Sequence, residues 1–346
     1  MGISHIFIHD VGGITVKFSL FTVFDNYSDI VPRSADQLFE EVLEQTVLAE
    51  QLGFDAVWYA EHHFAEYGVS PSPPVLLAAA ARMTERIRLG VAVSVLPLRD
   101  PVQVAEDYAV VDVLSGGRLN MGLGSGYLAH EFHGFKVPME DKALRFNDAL
   151  DVLLKAWRGE TFSHQGPYYQ YPEIRLNVVP VQRPHPELWV ASLRQEGVKH
   201  IARMGYRIMG IAYVNSNSRE ELAEVIQTYK EHVRAHGHGD PDQLEIPVAF
   251  HVHVAPSLAE AEANAKEAIN LYLRTRKYGK DIQYEDLRAR EQAIFGSPEE
   301  VVEQIQRYRD IGVNHFMALM NFGALDHRKV IQSLELFAKR VIPALR

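Results

Sequence analysis

Four apolar or aromatic residues, Val57, Trp58, Tyr59 and Ala60, stop abruptly at Glu61, His62, His63 and Phe64. A neutral imidazole takes up or returns a proton near pH 7, so a histidine at that boundary is a general acid–base candidate. The residues before it are β-branched, aromatic or small, as suits a short strand covered on both faces. In a parallel α/β fold, the carboxyl end of such a strand is where loops offer side chains to a ligand without disturbing the core. His62 is therefore the catalytic candidate, and His63 is expected to turn the other way and bond to backbone. Glu61, His62 and His63 are weak as a metal site, because sequence neighbours seldom converge on one ion and no second HxH or acidic cluster supports them. No metal is expected.

A second stretch, GLGSGY at 122–127, is rich in glycine. It lacks the G-x-G-x-x-G spacing and the distant acidic residue of a dinucleotide fingerprint. As a loop after a strand, its glycines would let backbone N–H groups approach a phosphate; the alternative is a tight turn and nothing more.

Composition narrows the chemistry. The chain has 346 residues, 47% hydrophobic and 23% charged, with 35 Lys+Arg against 45 Asp+Glu and a formal net charge of -10. That balance, without a clustered basic stretch, argues against nucleic acid or an anionic membrane as partner. The absence of cysteine removes disulfides, thiolate nucleophiles and Cys-ligated metals. No run reaches the roughly 18 apolar residues of a membrane-spanning helix, and residues 1–16, interrupted by His5, His9, Asp10 and Gly12, have no signal-peptide pattern. A cytoplasmic location is the default expectation.

Strand-like and helix-like segments alternate along the chain, which predicts a parallel sheet with covering helices. Strands are expected at 18–24, 56–60, 87–95, 118–123, 188–191, 207–211, 246–254 and 315–319. Helices are expected at 36–52, 75–84, 101–114, 141–157, 196–204, 219–236, 259–272, 298–311 and 329–341. Ser297, Pro298 and Glu300 form a helix start, with the serine as N-cap and the glutamate three residues on. The count approaches eight βα units, so the fold is α/β, a (β/α)8 TIM barrel with insertions. The segment at 160–186 reads as an insertion crossing the barrel mouth and that at 273–290 as a charged surface insertion.

In this order the sequence resembles the bacterial luciferase-like flavin-dependent monooxygenases. The resemblance rests on KFSLF, GFDAVWYAEHHFAEYG, LGVAVSVLPLRDPVQVAED, VDVLSGGRLNMGLGSGY, GSPEEVVEQIQRYRDIGVNHF and LELFAKRVIP. The family's first methionine would fall at Val16, so 1–16 is expected to be an N-terminal extension and 17–346 the barrel domain.

The resemblance implies reduced FMN, supplied by a separate flavin reductase, and oxygenation by O2 of a small apolar or aldehyde-like substrate. It implies His62 as the active-site histidine, a non-proline cis bond at Ala92–Val93 against the flavin ring, and Ser125, Gly126 and Tyr127 along the cofactor. Leu193 and Arg194 fall at its phosphate loop, and Arg145 at its second phosphate arginine. Phe64, Tyr67, Tyr127, Phe132, His133 and residues 321–323 are expected toward the substrate, and a homodimer is expected. Two alternatives stay open: a deazaflavin (F420)-dependent oxidoreductase on the same barrel, and a non-catalytic flavin-binding partner subunit.

Overall fold

The computed structural model describes residues 15–276 and 282–346. Of the expected extension, residues 1–14 lie outside them; Val16 is already buried in the core.

Eight parallel strands close a barrel: Lys17–Thr22, Ala56–Tyr59, Arg88–Val95, Leu119–Gly124, Glu187–Ala191, Arg207–Ile211, Pro247–Val254 and His315–Asn321. The first strand lies between the second, with Ser19 opposite Ala56, and the eighth, with Lys17 opposite His315. The ring is completed where Gly210 faces Val248. Helices cover the outside, so both faces of most strands are buried, and the strands read as near-continuous apolar runs. Trp58 and Trp189 meet edge to face inside the core, ring centres 5.4 Å apart.

Local chemistry sets the helix ends. Asp100 accepts the N–H groups of Val102 and Gln103 ahead of Pro101–Ser115, and Gly116 ends that helix in the left-handed conformation. The start expected at Ser297 is a complete capping box, Ser297 accepting from Glu300 N–H and Glu300 from Ser297 N–H.

Two stretches differ from the sequence reading. The insertion at 160–186 contains an antiparallel hairpin, Phe162–Gln165 with Gln170–Ile174. It lies against the helix Lys142–Trp157 rather than across the mouth, because buried Asp148 on that helix accepts the N–H groups of Tyr168 and Tyr169 and bonds His164 Nε2 at 2.8 Å. The stretch 273–290 ends in a helix, Tyr284–Ala289, and a short strand, Ala293–Gly296, follows as the ninth of the main sheet, along the upper half of the seventh barrel strand. Four residues are too few to show a strand's alternation, which is why AIFG carried no signal. Residues 277–281 of that stretch lie outside the described residues.

Candidate active site

At the carboxyl ends of the strands lies a cavity of about 520 Å³. Its size is that of a site for a ligand of a few hundred daltons. The inner wall is apolar, with Phe21, Val23, Ala60, Met209, Ile211, Ala249 and Met317 among its residues.

His62 stands on that wall, directly after the second strand. Its Nδ1 is 3.0 Å from Oε1 of Glu131, which also accepts the backbone N–H of His63 at 3.0 Å. Glu131 is buried, on the short helix Ala129–Gly134. An ionised carboxylate only accepts, so the imidazole hydrogen belongs on Nδ1 and the lone pair of neutral His62 on Nε2. His63 faces elsewhere: its Nε2 donates to Glu61 at 3.2 Å, and its carbonyl accepts from His130 at 3.0 Å. Glu61 also receives the N–H of Val95 at 3.3 Å. The two adjacent histidines are thus held by two different glutamates. Among the described residues, no group of three His, Asp or Glu side chains could hold a metal ion.

The third and fourth strands, next to the second in the barrel, form the adjoining wall. The bond Ala92–Val93 is cis, and both residues line the cavity with Gly124, Ser125, Gly126 and Tyr127. A Cβ on Gly124 would lie 2.4 Å from Val93 Cγ2, so only glycine lets these strand ends meet.

Positive charge gathers on a third side. Arg194 lines the cavity just before the helix Gln195–Arg203, whose first N–H groups lie beyond Ser192. Lys142, at the start of Lys142–Trp157, lines it too and donates to the carbonyl of Gly126 at 3.1 Å. Burial, and then the nearby charge of Arg194, lower the Lys142 pKa from its usual value. Two cations held together against their repulsion, beside a helix N-terminus, form an anion-binding surface.

Seven of the nine residues expected for catalysis and cofactor binding line this cavity: His62, Ala92, Val93, Ser125, Gly126, Tyr127 and Arg194. Leu193 does not, since its side chain is fully buried beneath Gly210. Arg145 does not either; its guanidinium lies 4.5 Å over the Tyr168 ring of the hairpin. Of the expected substrate side, Tyr67 and Tyr127 line the cavity, whereas Phe64 is a surface residue and Phe132 and Phe322 are buried outside the lining. Glu131, Lys142 and Arg276 line it without having been singled out. No helix among the described residues is long and apolar enough to cross a membrane.

The same architecture occurs in monooxygenase RslO1 from Streptomyces bottropensis, with a TM-score of 0.86 and 29% identity over 94% of this chain and 99% of that one. It also occurs in the oxygenating constituent of 3,6-diketocamphane monooxygenase from Pseudomonas putida, determined in complex with FMN, at a TM-score of 0.80 and 22% identity over 96% and 99%. Limonene 1,2-monooxygenase from Rhodococcus erythropolis is 28% identical over 313 residues, 87% of this chain and 80% of that protein. Residues 16–315 match the family model described as luciferase-like monooxygenase; the chain belongs to the luciferase-like monooxygenase family.

Proposed function

We propose that this chain is an FMN-dependent monooxygenase that receives reduced flavin from a separate reductase and oxygenates a small organic substrate with O2. The observation that carries the reading is the convergence on one cavity of the Glu131-held imidazole of His62 and the cation pair Lys142 and Arg194. The residues fit FMN: the cations, Ser192 and the first N–H groups of Gln195–Arg203 would hold its phosphate, and Ala92, Val93, Gly124, Ser125, Gly126 and Tyr127 would lie along its ring. When bound, reduced FMN supplies the electrons that activate O2.

The protein's own part is orientation, exclusion of water and proton handling. The apolar wall keeps water from the reacting atoms and strengthens every charge interaction inside. His62, its Nδ1 hydrogen committed to Glu131, keeps Nε2 able to accept and return a proton. A partner subunit without activity would have no use for this arrangement. We also place a homodimer contact on the adjacent helices Pro73–Met83 and Pro101–Ser115, which expose Val75, Val110, Val113 and Leu114. Sedimentation at the mass of a single chain would remove that contact.

Titration with reduced FMN, riboflavin and F420 tests the cofactor. FMN is expected to bind about tenfold or more tightly than riboflavin, the worth of charge-assisted bonds to the phosphate. Lys142→Gln is expected to remove about tenfold of FMN affinity and none of riboflavin's. Equal affinities for FMN and riboflavin, or tighter binding of F420, would sink the reading.

A further inference from the structure

The cavity carries a second electropositive place, on a wall the cation pair does not share. Arg276 follows the helix Leu258–Thr275, lines the cavity and is only 4% exposed. Aromatic rings wrap it: its guanidinium carbon lies 4.9 Å from the ring centre of Tyr213, 5.4 Å from Tyr127 and 6.0 Å from Tyr67. Tyr272 donates to the Tyr67 hydroxyl at 3.1 Å, and that hydroxyl is 3.2 Å from Tyr127's, so the rings are tied to one another. The charge reaches the fully buried His251, whose pKa is pressed down to about 3 by burial and then by Arg276.

We propose that Arg276 is the receptor for a carboxylate on the substrate, so that this site takes small carboxylate-bearing organic molecules. The inference rests on the reading of this cavity as the oxygenation site. A guanidinium stays charged at all working pH values, and its planar fork matches a carboxylate with two parallel bonds. Away from water, its attraction for an anion is far less screened than at a surface. Position also favours a substrate role. Tyr67 and Tyr127 contact Arg276 and also His62, at ring-centre distances of 4.6 and 6.2 Å. An acid anchored on Arg276 would therefore present the carbons near its carboxylate toward the imidazole, with Ile211 and Val214 of the lining beside its apolar body.

Calorimetric titration with benzoate and hexanoate, and with benzamide and hexanamide as neutral isosteres, tests this in flavin-free and in FMN-saturated protein. Each carboxylate is expected to bind at least tenfold more tightly than its amide. Arg276→Met is expected to abolish that preference, and Arg276→Lys to retain part of it, with FMN affinity within twofold of the parent in both. The lysine variant and the parent's own acid–amide ratio keep the test decisive should the methionine variant not fold. Amides binding as well as acids, a preference that survives in Arg276→Met, or an equal loss of FMN affinity in that variant would each overturn the proposal. Failure of the cofactor reading would instead appear in the FMN titration alone.

Discussion

His62–Glu131 and His315–Glu245 pair a histidine with a glutamate at opposite ends of the barrel, and of these two only the first lines the cavity. At the carboxyl ends of the strands, His62 Nδ1 bonds Glu131 and the imidazole stands on the cavity wall. At the opposite end, His315 Nδ1 donates to Glu245 at 2.6 Å, Lys17 completes that carboxylate, and His315 Nε2 bonds the hydroxyl of Ser19. Ser19, His315 and Glu245 are all buried. Serine, histidine and carboxylate in a row resemble the relay of a hydrolase, yet none of the three lines the cavity at the strands' carboxyl ends. The pairing alone is thus no sign of catalysis. With its second nitrogen bonded inside the protein an imidazole is a rivet; with that nitrogen beside a ligand space it is a reagent.

The sharpest way to break this comparison is to remove the buried carboxylate. Glu245→Ala is expected to cost about 3–5 kcal/mol of stability, because it strands polar partners in a buried place. Turnover per folded molecule is expected to stay within twofold, as urea unfolding and activity assays together would read. Burial alone would raise the Glu245 pKa, but His315 and Lys17 outweigh it and hold it at about 2 against a usual 4.5. Its folded-state pKa is lowered, so its contribution is complete above pH 4.5 and fades as pH falls toward 2. The gap between wild type and Glu245→Ala should close over that window.

At the open end the balance is expected to reverse. His62→Asn keeps a donor for Glu131 but has no titratable nitrogen, so product formation should fall about 100-fold with under ~1 kcal/mol of stability lost. Unchanged turnover would remove His62 from the chemistry. A third carboxylate sharpens the contrast at the smallest scale. Asp25 accepts the Gly323 N–H while fully buried, and burial, against that bond and the charge of Arg33, raises its pKa to about 6. With the folded pKa raised, stability falls as pH climbs from the usual 3.8 through 6. Asp25→Asn should therefore gain on the order of 1 kcal/mol above pH 6, read as a shifted urea midpoint.

What could be read from the sequence follows the same division. The eight strands, the Ser297 cap and the wall from Ala92 to Tyr127 are local in sequence, where periodicity and turn chemistry leave a trace. Glu131 meets His62 across 69 residues, and no local pattern announces a long-range carboxylate–imidazole bond. Arg145 stands almost one helical turn beyond Lys142: Lys142, the first residue of its helix, reaches back to the Gly126 carbonyl, whereas the Arg145 guanidinium lies over the Tyr168 ring of the hairpin, a contact between separate stretches that no local pattern announces. Arg276 follows the last turn of its helix, and the three rings around it, Tyr67, Tyr127 and Tyr213, come from three separate stretches of the chain.

Gly323 has a bearing on redesign. It sits at a φ of +59°, and a methyl group there would fall 1.6 Å from the carbonyl oxygen of Ala268, on the helix that delivers Arg276. The turn after the last strand is thereby bolted to that helix, with no slack for even one added carbon. A directed-evolution library aimed at new substrates should diversify Met209, Ile211 and Val214 and leave position 323 untouched, since any replacement there would displace the arginine before it altered selectivity.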